Sequence, residues 1–251
     1  MGKIVILGSA NAVPDSNHAN THFLIQEGLR GILVDCPENP IVKLQKAGQS
    51  LDGLSDIILT HFHPDHISGV PLLLMDLWLS GRKLPIMIHG LNDTLDRMES
   101  MMNLFNWQSW PGFFSVYYNR LPQEERSGLL LDDDFAITAA PVQHLIPTIG
   151  IRIDFKRSGK VIAYSSDTQP CQNVIDIAQQ AELLIHESAG LLKGHSSPGQ
   201  AGKVAQQAGV RALYLIHYPT DVDPDQWIGE ASQFFAGPVF MAVDDLIIEM
   251  A

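Results

Sequence analysis

Asp56-Ile57-Ile58-Leu59-Thr60-His61-Phe62-His63-Pro64-Asp65-His66-Ile67 is a short apolar run that ends in three imidazoles and one carboxylate. Residues 56–60 read as a buried strand, and Ile67, Val70, Leu74, Leu77 and Trp78 then repeat at helical spacing, which predicts a helix over 67–79. The metal-ligating side chains therefore fall on a strand-to-helix turn, where a rigid scaffold presents a functional loop. His61 and His63, two apart in extended chain, can chelate one ion. Asp65 and His66, past the φ-restricting Pro64, can turn to a second. Imidazole with carboxylate and no thiolate suits zinc, with manganese or iron as alternatives.

The remaining chain supplies a matching frame. Strands are expected at 3–7, 21–26, 31–35, 84–88, 135–143, 149–155, 160–164, 182–187, 211–216, 238–242 and 245–249, with helices near 38–47, 171–180, 198–209 and 224–235. Arg157-Ser158-Gly159 marks a hairpin turn, and Ser197-Pro198 is an N-cap followed by the proline that favours a first helical turn. His61, His144, Asp167 and His217 all follow apolar strands. Independent core histidines would not all gather at strand ends. In the opening loop, Asn17, His18, Asn20 and His22 read as solvated residues, with contact to a substrate as the rival reading. His89 reads as structural. The methionines and aromatics of 97–118 read as core, against a rival reading as an adaptable wall over the site or a subunit contact.

Size and charge narrow the class. The 251 residues, 45% hydrophobic, suffice for one domain spanning 1–251. No apolar run approaches the roughly 18 residues that span a bilayer, and the cytoplasm is the expected compartment. Cys36 and Cys171 stand in no metal or redox spacing. Twenty-eight acids against sixteen bases give a net charge of −12, which lowers the expectation of a polyanionic substrate without excluding a local basic patch.

The pattern His61-x-His63-x-Asp65-His66 resembles the His-x-His-x-Asp-His signature of the metallo-β-lactamase superfamily at every position. The resemblance runs in order through nearly the whole chain. It implies an α/β (α+β) fold, a four-layer αββα sandwich with the metals at one sheet edge. It assigns His61, His63 and His144 to the first ion, Asp65, His66 and His217 to the second, and Asp167 between them. Two divalent ions about 3.5–4 Å apart can hold a bridging hydroxide as nucleophile. Gly194-His195-Ser196-Ser197 resembles the His-Ser-Thr motif of the ribonuclease Z branch, in which that histidine assists phosphodiester cleavage. Glu187 can orient His195. Asp65 is counted with these two among the catalytic residues as well as among the ligands.

The departures from that branch are equally specific. Only 22 residues separate His144 from Asp167, with no long arm to grip a transfer RNA, and Cys36-Pro37-Glu38-Asn39-Pro40 replaces a glycine-rich pattern. The expectation is a dinuclear phosphodiesterase acting on a small diester, and a homodimer. The alternatives are an RNA 3′-end endoribonuclease, an acyl hydrolase (lactonase or thioesterase), and a metal-containing binding or sensing module with little turnover.

Overall fold

The structure, a computed structural model, describes residues 2–123 and 126–250. Along the chain the strands of the first sheet are β1 (Gly2–Gly8), β2 (His22–Glu27), β3 (Arg30–Val34), β4 (Leu54–Ile58), β5 (Ile86–Leu91) and β6 (Val116–Leu121). Those of the second are β7 (Ser127–Leu131), β8 (Phe135–Val142), β9 (Thr148–Phe155), β10 (Val161–Tyr164), β11 (Leu183–Glu187), β12 (Ala212–Ile216) and β13 (Val239–Met241). A last strand, β14 (Ile247–Glu249), returns to the first sheet beside β1, so the sheet orders are β14-β1-β2-β3-β4-β5-β6 and β13-β12-β11-β10-β9-β8-β7. Both are mixed, parallel from β3 to β6 and from β10 to β13.

Alternation along the strands builds the layers. Ile4, Ile6, Phe23 and Ile25 face Phe135, Ile151, Ile153 and Tyr164 between the sheets. Val5, Leu24, Leu33 and Ile57 point the other way, onto α3 (Val70–Leu79) and α4 (Asn92–Leu104). Ala163, Leu184, Leu213 and Leu215 pack on α5 (Gln172–Ala178) and α6 (Pro198–Ala208). Strands covered on both faces are apolar almost throughout, and each buried Leu or Ile contributes roughly 1.5–3 kcal/mol. The result is the αββα sandwich expected from the resemblance. The ends of the 1–251 span, Met1 and Ala251, lie outside the described residues.

Several expected boundaries shift, each for a local reason. The helix over 67–79 is two pieces, α2 (Pro64–Ile67) and α3, broken at Ser68-Gly69. There the Gly69 amide donates to the Cys36 carbonyl (2.8 Å) while the Cys36 amide donates to the His66 carbonyl (2.7 Å). A Cβ at position 69 would overlap the Glu38 carbonyl, so the clamp needs glycine. The helix near 38–47, α1 (Ile41–Lys46), starts only at Ile41, because Pro40 is its N-cap and Asn39 accepts the Ile41 amide. His89 sits inside β5, not at a strand end, where it pairs with Asp56 at 2.8 Å as a structural residue. The helix expected over 224–235 closes at Ser232.

The reading of 97–118 as core holds only in part. Met98 and Met102 are fully buried, but Leu104 and Phe105 are 86% and 55% exposed. Trp110 stacks on Trp78, with centroids 5.1 Å apart, and covers α3 from outside. The chain thus turns an apolar face outward beside the histidine-rich loop of residues 61–66. No helix among the described residues is long and apolar enough to cross a membrane.

Candidate metal centre

Strands β8, β10, β11 and β12 run the same way, so their carboxyl ends share one edge. His144 follows β8 by two residues, Asp167 follows β10 by three, and His217 follows β12 directly. The loop after β4 brings His61 and His63 to the same edge, tied there by the Ile149 amide donating to the Thr60 carbonyl (3.1 Å). Asp65 and His66 ride on α2, whose Pro64 stands in its first turn. Asp35, Ser166 and His217, with φ of 60°, 52° and 56°, all lie here in the left-handed region. Such strain persists only where surrounding contacts overdetermine it.

The hydrogen bonds settle the tautomers. Thr60 Oγ1 donates to Asp35 Oδ2 (2.9 Å), so it accepts from His61 Nδ1 (3.0 Å) and leaves the lone pair on His61 Nε2. His144 Nδ1 donates to the Gly194 carbonyl (2.8 Å), and His66 Nδ1 to Asp35 Oδ2 (2.9 Å). Thr21 Oγ1 donates to the Ala10 carbonyl (2.9 Å) and so accepts from His217 Nδ1 (3.2 Å). Four Nε2 lone pairs therefore converge. His63 enters by its other nitrogen, with Nδ1 at 3.1 Å from both His61 Nε2 and His144 Nε2.

His63 Nδ1 can donate to only one of those two acceptors, so at least one of the two close contacts has no proton between its nitrogens. Ligand atoms at the corners of a tetrahedron with 2.0 Å bonds stand about 3.3 Å apart, close to these separations. Asp167 Oδ2 lies 3.2 Å from His217 Nε2, 3.5 Å from His66 Nε2, 3.8 Å from His61 Nε2 and 3.9 Å from His144 Nε2. Asp65 Oδ2 is 3.7 Å from His66 Nε2. Buried His66 Nε2 and Asp167 Oδ1 have no hydrogen-bond partner among the described residues. Lone pairs and carboxylates aimed at common points fit divalent cations. The residues form three overlapping groups able to hold a cation, His61-His63-His144-Asp167, Asp65-His66-His217, and Asp167-His195-His217, the third drawing one member from each of the first two.

The electrostatics agree with that chemistry. Burial pushes the His61 imidazole well below its ordinary pKa, with nearby His66 adding to the shift, and burial also lowers His63 and His144. These three are neutral and available as ligands. Burial also opposes charge on His66, but the Asp167 and Asp35 carboxylates outweigh it and raise its pKa well above normal. Asp167 is held well below the carboxylate range because His217 and His66 overcome its burial. A bound cation would take the place of the proton that His66 otherwise draws in.

His195 stands at the rim. Its ring centroid is 4.9 Å from His144, and it stacks on His217 at 5.8 Å. Its Nδ1 lies 3.2 Å from Glu187 Oε1, at ion-pair distance but outside the angle of a formed hydrogen bond. Glu187 is fully buried and accepts the amides of Thr168 (3.1 Å), Ala189 (2.9 Å) and Ser196 (2.9 Å), which fix its carboxylate. Burial raises the Glu187 pKa. For His195 burial acts downward, but contact with Glu187 prevails and raises it.

Of the opening-loop residues, His22 is not solvated but fully buried, with Nδ1 against the Asn20 carbonyl, while Asn17 stays exposed. Sequence reasoning missed Asp35, Thr60, Thr21 and Gly194, which orient the imidazoles. Asp35 alone left a trace, as a carboxylate closing an otherwise apolar strand.

An αββα sandwich with a histidine-rich cluster at this edge is the metallo-β-lactamase arrangement, and full-length relatives named ribonuclease Z place the chain among the metal-dependent hydrolases of the ribonuclease Z-like group. Residues 2–236 match the family described as anti-Pycsar protein Apyc1, and the chain belongs to that family. Ribonuclease Z of Mycobacterium avium is 30% identical over 276 aligned positions, covering 98% of this chain and 97% of the relative. Ribonuclease Z of Methanothermobacter thermautotrophicus is 29% identical over 303 positions, covering 98% and 96%. Human tRNase Z, short form, superposes with a TM-score of 0.81 at 23% identity over 99% of each chain, a likeness of fold.

Proposed function

We propose that this protein is a dinuclear phosphodiesterase that hydrolyses a small phosphodiester. The observation that carries the reading is the convergence of four imidazole Nε2 atoms and His63 Nδ1 around Asp167 Oδ2, with His195 alongside. His61, His63 and His144 would hold one ion and Asp65, His66 and His217 the other, with Asp167 shared. The imidazole-rich donor set favours zinc over manganese or iron. When bound, such ions activate water at neutral pH and offset charge on the attacked phosphoryl group.

The chain's own residues do the rest. His195, charged through its contact with Glu187, carries a proton at Nε2 to the departing alcohol oxygen. Glu187 is a positioning residue, because its three backbone donors hold the carboxylate against the His195 ring. Asp65 has a second role, accepting a hydrogen bond from the incoming water and aligning it for attack. The short interval from His144 to Asp167 leaves no arm for a transfer RNA body, which supports a small diester over an RNA end. Exposed Leu104 and Phe105 support a homodimer, read as a dimer mass in light scattering. The cytoplasm remains the expected compartment.

The test is turnover of bis(p-nitrophenyl) phosphate by zinc- or manganese-loaded protein, beside Asp167→Ala. Turnover abolished in the variant supports the reading. No turnover with two metals per chain, and hydrolysis of lactones or thioesters instead, overturns it. Cleavage of RNA 3′ ends in preference to small diesters would move the substrate to RNA.

A further inference from the structure

His61, His66, His144 and His217 each turn Nδ1 to an oxygen of the fold, which leaves Nε2 as the ligand atom. For His66 that oxygen belongs to a buried carboxylate, Asp35 Oδ2 at 2.9 Å. His195 repeats the pairing. Its Nδ1 lies 3.2 Å from Oε1 of Glu187, a fully buried carboxylate fixed by the amides of Thr168, Ala189 and Ser196. A carboxylate behind one imidazole nitrogen draws the ring proton to that side and makes the other nitrogen a basic lone pair, as in histidines that bind metal. The chain has thus given His195 the support of a ligand.

The backbone also brings it within reach. Gly194, with φ of 84°, passes so close to His144 that a Cβ there would stand 3.0 Å from the imidazole Nδ1. The Gly194 carbonyl accepts from that nitrogen (2.8 Å), and the His195 amide donates to the Leu192 carbonyl (3.1 Å). Held this way, the His195 ring lies parallel to His217, with 12° between the planes. Asp167, His195 and His217 each offer one ligand atom within 4.8 Å of the other two. Two imidazoles and one carboxylate, with a fourth position open to water, make a zinc-type donor set.

We propose that His195 is a reserve ligand for the second ion, which has two mutually exclusive seats, Asp65-His66-His217 and Asp167-His195-His217. The exclusion follows from His217. Its Nδ1 donates to Thr21 Oγ1, so one lone pair remains, and that lone pair serves one cation at a time. With Asp167 shared, the first seat has four side chains and the reserve has three, so the ion rests in the first and passes to the reserve when Asp65 and His66 release it. The inference takes its second ion from the dinuclear reading above. A cation on Nε2 leaves His195 no proton there for a departing alcohol, so the reserve seat retains metal without hydrolysis.

Zinc content after desalting and chelator competition test this without turnover, in the parent and in Asp65→Asn/His66→Gln, each with and without His195→Ala; circular dichroism checks folding. In the parent, His195→Ala should change the affinity of the second ion by less than about twofold. The Asp65→Asn/His66→Gln protein should still hold two zinc ions, and adding His195→Ala there should weaken the second by at least about tenfold. Loss of the second ion from Asp65→Asn/His66→Gln, or an equal effect of His195→Ala in both backgrounds, overturns the reserve seat. A parent that holds one ion overturns the dinuclear reading and the seat with it, whereas a parent with two ions and no diesterase activity overturns only the substrate. Should the double variant not fold, Asp65→Ala alone decides. Loaded with a spin-bearing cadmium isotope and labelled with nitrogen-15, it should show coupling between the metal and a His195 ring nitrogen, and absent coupling overturns the proposal.

Discussion

Replacing Asp35 by asparagine should cost metal affinity without disturbing the backbone. The residue has φ of 60°, a conformation that asparagine tolerates, and it is fully buried. Its carboxylate accepts from the Thr60 amide at 2.8 Å, Thr60 Oγ1 at 2.9 Å and His66 Nδ1 at 2.9 Å. Asparagine has one acceptor oxygen and one donor group for those positions. With its oxygen toward His66, its NH2 faces the Thr60 N–H, and a buried donor is stranded at about 1–3 kcal/mol. With its NH2 toward His66, the ring must accept at Nδ1 and carry its proton on Nε2, which removes the ligand lone pair. Either way the second ion should bind about 10- to 100-fold more weakly, equal to about 1.4–2.7 kcal/mol. Chelator competition on purified protein measures this, with circular dichroism as the check on folding. A folded variant that keeps its second ion within twofold of the parent affinity would refute the role given to Asp35.

His195→Ala should leave metal content unchanged and slow hydrolysis of an alkyl-leaving-group diester by at least about a hundredfold, with a much smaller loss for p-nitrophenyl esters, which leave without a proton; equal losses on both would count against proton donation. Gly69→Ala pushes a methyl into the Glu38 carbonyl and should cost about 2 kcal/mol, seen as a melting temperature lower by about 4–8 °C. Burial pushes His22 and His186 down to about 4, so both are neutral in the fold. Their folded pKa lies below the unfolded 6.5, so stability is intact above pH 6.5 and falls as pH drops toward 4, by up to about 3 kcal/mol for each. Urea midpoints across that range should decline less steeply in His186→Leu, and an identical slope would place the acid sensitivity elsewhere.

Much of this architecture was legible because buried strands leave long apolar runs and ligands sit where those runs stop. Strands β4, β8, β10 and β12 were readable for that reason, as was α6 with its Ser197 capping box and Gly209 closure. β6 and β7 were not. Val116–Leu121 is half-exposed and reads Val-Tyr-Tyr-Asn-Arg-Leu, with no clean alternation, and its place is set by pairing with β5 and by the few side chains, such as Leu121, that reach the core. The break between α2 and α3 was hidden because helical spacing continues across it; a long-range clamp to Cys36 decides it. Among site residues, those offering a ligand atom stood out by type and position. Their orienting partners did not, since Thr60, Thr21 and the Gly194 carbonyl act through distances that only the fold creates.

The most direct test of the shared centre is anomalous diffraction at the zinc edge from crystals of the zinc-loaded protein. Two peaks about 3.5–4 Å apart, flanking Asp167 Oδ2 with His63 ligating through Nδ1, are predicted. A single peak, or two peaks with Asp167 bound to only one of them, would contradict the account.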